Sequence, residues 1–301
     1  MLLTFAASDK PARAQAAPSG FSITPFYQSI DLKKDQASAP FTINVKNTTA
    51  APAVFRVSVL DFGTLDESGG VAFLGASDNL KYGLASWVNL SNDTLVLAPG
   101  EERQVDGTIE NRESLSPGGH YGAVFFKIDD NGGNTADSQS DSIAFDPSLA
   151  SLLFVRKTGG ETYGLNLDSF EASKNIFTLP DQIRLRFQNT GNVHVVPRGT
   201  VEIFDPTGRM VAKSIINSES GIILPETFRL FPSKFMPISF AYLPGRYTMA
   251  IDYRYDGQDN FTTRKTIFFF VPLNFVGLVV LVIGLMVAVH VIHKKKKIKQ
   301  K

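Results

Sequence analysis

One stretch restricts this chain more than any other: a long apolar run over residues 268–292, interrupted only by Pro272, Asn274 and His290, passes straight into a lysine-rich end. As a helix, Leu273 to Ile292 would measure about 30 Å, the thickness of a bilayer's hydrocarbon core. A core helix of a folded domain would need one polar face, and this run has none. The residues therefore predict a membrane-spanning helix over 268–292 and a basic tail over 293–301. Lysines beside a span stay on the cytoplasmic side. Lys294, Lys295, Lys296, Lys297, Lys299 and Lys301 thus orient the chain, with its bulk outside the cytoplasm. Phe268, Phe269, Phe270 and Phe275 are expected near the outer interface.

An exported body needs an export signal. Ala14, Gln15 and Ala16 form an A-x-A cleavage pattern before a Pro/Ser/Gly stretch, although Asp9 and Lys10 cut the preceding apolar run short. Residues 1–20 read as the remnant of a signal peptide beginning upstream of Met1, or as a disordered leader.

Composition narrows the chemistry. The chain has no cysteine, which excludes disulfides, thiolate metal sites and thiol catalysis. Net charge is +1 and the lysine tail supplies more than that, so the external part is mildly acidic and nucleic acid is not an expected partner. The external length suits two domains of roughly 100 to 150 residues each.

Upstream of the span, short alternating runs are separated by Gly, Pro, Asn and Asp clusters. Phe55, Val57 and Val59 share one face; so do Ile183, Leu185 and Phe187, and again Tyr247, Met249, Ile251, Tyr253 and Tyr255. Alternation of this kind belongs to antiparallel sheets with one wet face. The expected fold class is all-β.

One order of signals occurs twice. Residues 41–47 run into Asn47-Thr48-Thr49 and a second strand at 54–62, followed by Leu97-Ala98-Pro99-Gly100-Glu101 and Ser116-Pro117-Gly118-Gly119-His120-Tyr121. Residues 183–189 run into Asn189-Thr190-Gly191 and a strand at 199–204, followed by Leu224-Pro225-Glu226 and Leu243-Pro244-Gly245-Arg246-Tyr247. Asn-Thr ends a strand through local side-chain bonds, and Pro-Gly turns the chain from sheet to sheet. A tyrosine just after such a turn resembles the tyrosine corner of immunoglobulin-like sandwiches, which makes Tyr121 and Tyr247 structural candidates.

Two tandem immunoglobulin-like β-sandwich domains, at 21–158 and 159–267, followed by a single C-terminal transmembrane α-helix, are the expected architecture. The boundary is placed at Lys157-Thr158-Gly159-Gly160-Glu161-Thr162. The insertion 129–142, with Asp129, Asp130, Asp137 and Asp141, lacks EF-hand spacing and reads as a solvated hairpin tip. With no linker between its last strand, at about 262–270, and the span, the second domain is expected next to the membrane.

Catalysis finds little material. There are four histidines; His290 and His293 belong to the anchor, and His120 and His194 sit in turn-like contexts without an H-x-x-x-H spacing. No G-x-S-x-G, S-x-x-K set or P-loop is present, so neither an enzyme nor a cofactor is expected. Binding is the remaining class. Residues 78–90 hold Tyr82 and the sole tryptophan, Trp87, in a region without alternation; with His120 they form the candidate ligand-binding set, an exposed aromatic being suited to stacking on a sugar ring. The competing reading makes Trp87 a core residue.

On these motifs the first half is similar to the peptidoglycan-binding domain of the WxL-interacting proteins of Gram-positive bacteria, and the second half looks like that family's membrane-proximal partner-binding domain. The resemblance implies a non-catalytic protein of the bacterial cell membrane that contacts peptidoglycan or another cell wall glycan, together with surface or secreted proteins. The alternative reading is a membrane-tethered chaperone lending a strand edge to secreted or fimbrial subunits. An uncovered edge strand in the first domain would favour it.

Overall fold

The computed structural model describes residues 20–76, 80–129, 148–173 and 175–299. The Ala14-Gln15-Ala16 pattern, Lys301 and the insertion beyond Asp129 lie outside these residues; Asp129 itself pairs with Arg56 at 2.7 Å. The chain divides into two compact units. The first holds the described residues up to Phe62, with Phe73–Ser116 and His120–Val155; the second holds Gly63–Ala72, Pro117–Gly119 and the chain from Arg156 onward.

Ten strands come first: β1 (Phe21–Thr24), β2 (Tyr27–Leu32), β3 (Ser38–Asn47), β4 (Ala53–Thr64), β5 (Val71–Leu74), β6 (Val88–Leu90), β7 (Thr94–Leu97), β8 (Glu102–Glu110), β9 (Gly118–Ile128) and β10 (Ser148–Lys157). They form two sheets, β1-β3-β8-β6 and β2-β10-β9-β4-β5, with β7 also paired to β4. Alternation dictates the core. Phe41, Ile43 and Val45 of β3 and Val105 and Ile109 of β8 meet Phe55, Val57, Val124, Phe126, Leu153 and Val155 of the facing sheet. Burying each such side chain contributes about 1.5–3 kcal/mol.

The second set comprises β11 (Leu165–Ala172), β12 (Gln182–Asn189), β13 (Arg198–Phe204), β14 (Met210–Ile216), β15 (Phe228–Lys234), β16 (Met236–Pro237), β17 (Gly245–Arg254) and β18 (Thr262–Phe270). Its sheets are β11-β12-β15 and β16-β14-β13-β17-β18. Ile183, Leu185 and Phe187 are fully buried, as are Val201 and Ile203 opposite, with Met249, Ile251 and Tyr253 almost so. The all-β class with two sandwiches and one C-terminal helix is the architecture observed.

The repeated Asn-Thr signal has a common structural role. Asn47, wholly buried, donates from Nδ2 to Ala51 O (2.9 Å) and Leu97 O (3.0 Å), and its Oδ1 accepts from Thr49 N at 2.9 Å. Asn189, equally buried, donates to Val193 O (2.8 Å) and Ile223 O (2.9 Å) and accepts from Gly191 N at 2.9 Å. The backbone agrees: Gly100 N donates to Asn47 O as Glu226 N does to Asn189 O. Each asparagine thus ties a strand end to the proline turn of a distant strand, beyond the local turn expected of it.

Gly100 and Glu226 therefore occupy equivalent positions, with φ of 74° and 60°. A left-handed conformation suits glycine and costs other residues about 1–2 kcal/mol. Glu226→Gly is expected to raise the unfolding free energy of the second unit by about 0.5–1 kcal/mol, after glycine's larger loss of chain entropy. Gly100→Ala should lower that of the first by about 1 kcal/mol, since the added methyl meets nothing within 4 Å and backbone strain acts alone. Urea titration of the full chain in detergent checks both.

The stretch 268–292 is shared between the expected last strand and the helix. Phe268, Phe269 and Phe270 complete β18, and the helix α1 (Leu273–Lys299) begins three residues later and runs through the first lysines of the tail. Strand pairing claims these phenylalanines: Tyr247 faces Phe268 and Gly245 faces Phe270 across the β17–β18 ladder. Apolarity alone cannot separate a buried strand end from the start of a span. Leu273–His293 is long and apolar enough to cross a membrane, and none of it is buried against protein.

Candidate functional site

Residues 80–90 fold back onto β9. Gly83 bridges Tyr121, Tyr121 N donates to Tyr82 O at 2.9 Å, and Leu84, fully buried, packs over Gly122. This explains why β9 is buried on both faces from His120 to Val124, where a sheet with one wet face would alternate. Asp61 of β4 holds the segment from beneath: its Oδ1 accepts from Leu84 N (2.6 Å) and Ala85 N (2.7 Å) at the start of the short 3-10 turn Ala85–Trp87.

His120 completes the attachment. It lies in β9 and not in the expected turn, only 2% exposed, with Nδ1 at 3.1 Å from Gly83 O and Nε2 at 2.8 Å from Ser116 O. Both partners are acceptors, so a neutral ring donates to one of them and a protonated ring to both. The three candidate binding residues are therefore drawn to one region but turned to other tasks. His120 serves the backbone, Tyr82 is half-buried beside Lys81, and Trp87 packs on the core with the Arg112 guanidinium 5.2 Å from its ring centre. His194, half-buried, precedes the isolated bridge between Val195 and Ile223.

Of the two tyrosines read as structural, Tyr121 is buried between Phe62 and Phe154, each ring 5.8 Å away. Tyr247 is fully buried, and its hydroxyl donates to Leu243 O, four residues upstream, at 2.8 Å. Burial first, and then the nearby Asp205 carboxylate, raises the Tyr247 pKa above the ordinary phenol value. Of the orienting lysines, Lys294, Lys295, Lys296, Lys297 and Lys299 fall in the last turns of α1.

Asp205 opens the β13–β14 hairpin. Burial acts to raise its pKa, but bonds from the Thr207 hydroxyl (2.6 Å), the Arg209 and Thr207 N–H groups (3.0 and 2.9 Å) and the Arg209 guanidinium outweigh it and hold the carboxyl below its usual range. A depressed folded pKa contributes stability that is present above about pH 4 and is lost as pH falls through the folded value. Asp205→Asn should therefore be less stable than the parent at pH 7, with the difference shrinking below about pH 4. Urea midpoints measured from pH 3 to 7 check this.

The edges of the sheets are the other places where chemistry is available. In the first unit β2 ends its sheet, and among the described residues no strand pairs with its outer side. Phe26 is 62% exposed and Tyr27 65%, with Tyr27 leaning edge-on against Phe154. Native edges are commonly guarded by lysine, proline or inward charge. The edge β18 carries exposed Arg264 and Lys265, whereas β2 holds neither lysine nor proline and a single charge, Asp31. Sequence reading missed this edge because Tyr27, Ser29 and Asp31, the exposed positions, look like an ordinary wet face.

No family model matches the chain, and no curated protein matches it in sequence. Among solved structures it is similar to a chain of the chaperone–tip adhesin complex of CFA/I fimbriae biogenesis, at 13% identity and TM-score 0.43, covering 84% of this chain and 99% of that one. The class 5 fimbriae chaperone CfaA follows, at 13% identity and TM-score 0.42, with the same coverage. The E. coli chaperone DraB matches at 14% identity and TM-score 0.37, covering 83% of this chain and 96% of its own. At these identities and scores the likeness carries no assignment of partner or activity.

Proposed function

We propose that the chain is a non-catalytic, membrane-tethered binding protein that holds surface or secreted proteins by pairing an extended segment of the partner with the open edge of β2. The observation that carries the reading is that edge itself: a six-residue strand beside whose outer side no other strand pairs among the described residues, with no lysine or proline in it, and two large exposed aromatics, Phe26 and Tyr27, where it begins. Main-chain bonds along such an edge supply affinity, and side chains at alternate positions supply selectivity. The helix Leu273–His293 supplies the tether, with the lysines that follow it on the cytoplasmic side and both β-sandwiches outside.

Glycan binding through Tyr82, Trp87 and His120 is less well served, because His120 is buried against backbone carbonyls and Trp87 lies on the core. The test is co-purification of the full-length protein from membranes with and without Phe26→Lys and Tyr27→Lys. A specific secreted or surface protein recovered with the parent and lost with the edge variant supports strand pairing. Equal recovery by both, or retention on isolated cell walls with no protein partner, overturns it.

A further inference from the structure

The second unit ends in a cluster of exposed apolar side chains that neither its core nor the β2 edge uses. Phe240 is 87% exposed, Phe269 63%, Ile238 57%, Tyr242 56%, Ile176 49% and Phe177 42%. They belong to three separate segments that the fold gathers at one end. Val271 N donates to Ile176 O at 2.7 Å, Gly245 pairs with Phe270, and the site of a Gly245 Cβ lies 3.0 Å from Pro206 in the β13–β14 hairpin. That end is where α1 departs.

The exposed loop is held in place and does not simply hang free. Ile238 N donates to Val211 O (2.9 Å), the Ser239 hydroxyl to Met210 O (2.8 Å), Arg209 Nη2 to Phe240 O (2.7 Å) and the Tyr247 hydroxyl to Leu243 O (2.8 Å). The Arg209 guanidinium also lies 4.8 Å from the Tyr242 ring centre. Hydrogen bonding thus fixes the backbone while the apolar side chains point away from the core. Six large exposed apolar side chains at one end of a sandwich are more than the scattered single ones normal on a protein surface, and such a grouping marks an interaction surface.

Chain geometry identifies what covers it. Two residues, Val271 and Pro272, separate Phe270 from Leu273, a reach over three steps of at most about 11 Å. Beyond the hydrocarbon boundary each headgroup layer is about 5–7 Å deep. If Leu273 enters the hydrocarbon, this end of the unit has no slack to stand clear of the headgroups. Exposed Arg209 and Arg246 lie among the same residues, placed to meet lipid phosphate.

We propose that this end is a lipid-contacting surface: Ile176, Phe177, Ile238, Phe240, Tyr242 and Phe269 insert among the headgroups of the bilayer that α1 spans, with Arg209 and Arg246 on phosphates. The second unit is then held at a fixed tilt. The inference rests on the membrane-anchor reading and adds to it a second attachment, one that orients the unit as well as retaining it.

The chain has no cysteine, so single-cysteine variants carry nitroxide labels cleanly. The full-length protein is reconstituted in nanodiscs of phosphatidylcholine and phosphatidylglycerol with a label at Phe240→Cys, Phe177→Cys, Leu281→Cys or Asp259→Cys. Asp259 follows the Tyr253–Thr262 end of the β17–β18 ladder, about 27 Å along the strands from Gly245. Collisions with oxygen and with a water-soluble nickel chelate report depth. The expected result is a deep label at 281, a solvated one at 259, and labels at 240 and 177 reached by nickel about threefold less often than at 259. Labels at 240 and 177 as solvated as at 259, with 281 deep, overturn the inference and leave the anchor standing. A solvated label at 281 overturns the anchor itself. Spin–spin coupling between two copies at position 240, in detergent as well as in lipid, overturns it in favour of self-association.

Discussion

Replacing Asn189 by alanine is expected to destabilise the second unit by about 3–4 kcal/mol, and Asn47→Ala the first by less, about 2–3 kcal/mol. Asn189→Ala removes three buried hydrogen bonds, with a net contribution of about 1 kcal/mol apiece, and strands their partners away from water, whereas Asn47→Ala removes four, of which only the bond to Leu97 O is buried. For Asn189 the stranded groups are Val193 O, Ile223 O and Gly191 N; for Asn47 the stranded group is Leu97 O, since Ala51 is exposed and Thr49 half-buried. With native stabilities of only about 5–15 kcal/mol, such a loss is large. Hydrogen exchange on the full chain resolves the units: β12 and β15 should lose protection in Asn189→Ala, and β3 and β8 in Asn47→Ala. Losses under about 1 kcal/mol would mean that these asparagines merely decorate turns.

The second large effect concerns binding. Lysines at positions 26 and 27 would place two hydrated charges where a partner strand must approach, and should reduce partner recovery at least about tenfold, equivalent to about 1.4 kcal/mol. Stability should change by less than about 1 kcal/mol, since both side chains are mostly exposed and Tyr27 gives up only its edge contact with Phe154. The same substitutions at Val71 and Phe73 of β5, on the opposite edge of that sheet, should leave recovery unchanged.

Much of the fold was legible from alternation. Ile183, Leu185 and Phe187 face the core because a two-residue period with polar partners leaves one solution, and the twice-used order of Asn-Thr and proline turns marks two similar units. The reach of Asn47 and Asn189 was not legible: Leu97 lies 50 residues from Asn47, and spacing does not encode a bond at that distance. His120 read as a turn residue because Pro117-Gly118-Gly119 precedes it, whereas the 80–90 segment covers β9 and draws it inside. The phenylalanines at 268–270 fit both the last strand and the span, because a strand end and a helix start are equally apolar there. Phe240 and Tyr242 gave no sign at all, being single aromatics in a loop with no period.

The open β2 edge is tested most directly by placing a photoreactive amino acid at Ser29, an exposed position of β2, in the full-length protein in its own membrane. Strand pairing requires one dominant protein adduct, mapped to a single extended segment of the partner, that disappears in the Phe26→Lys, Tyr27→Lys background and is absent when the probe sits at Phe73. Adducts of equal yield at 29 and 73, or none at 29 while the protein remains bound to its partner, would contradict it.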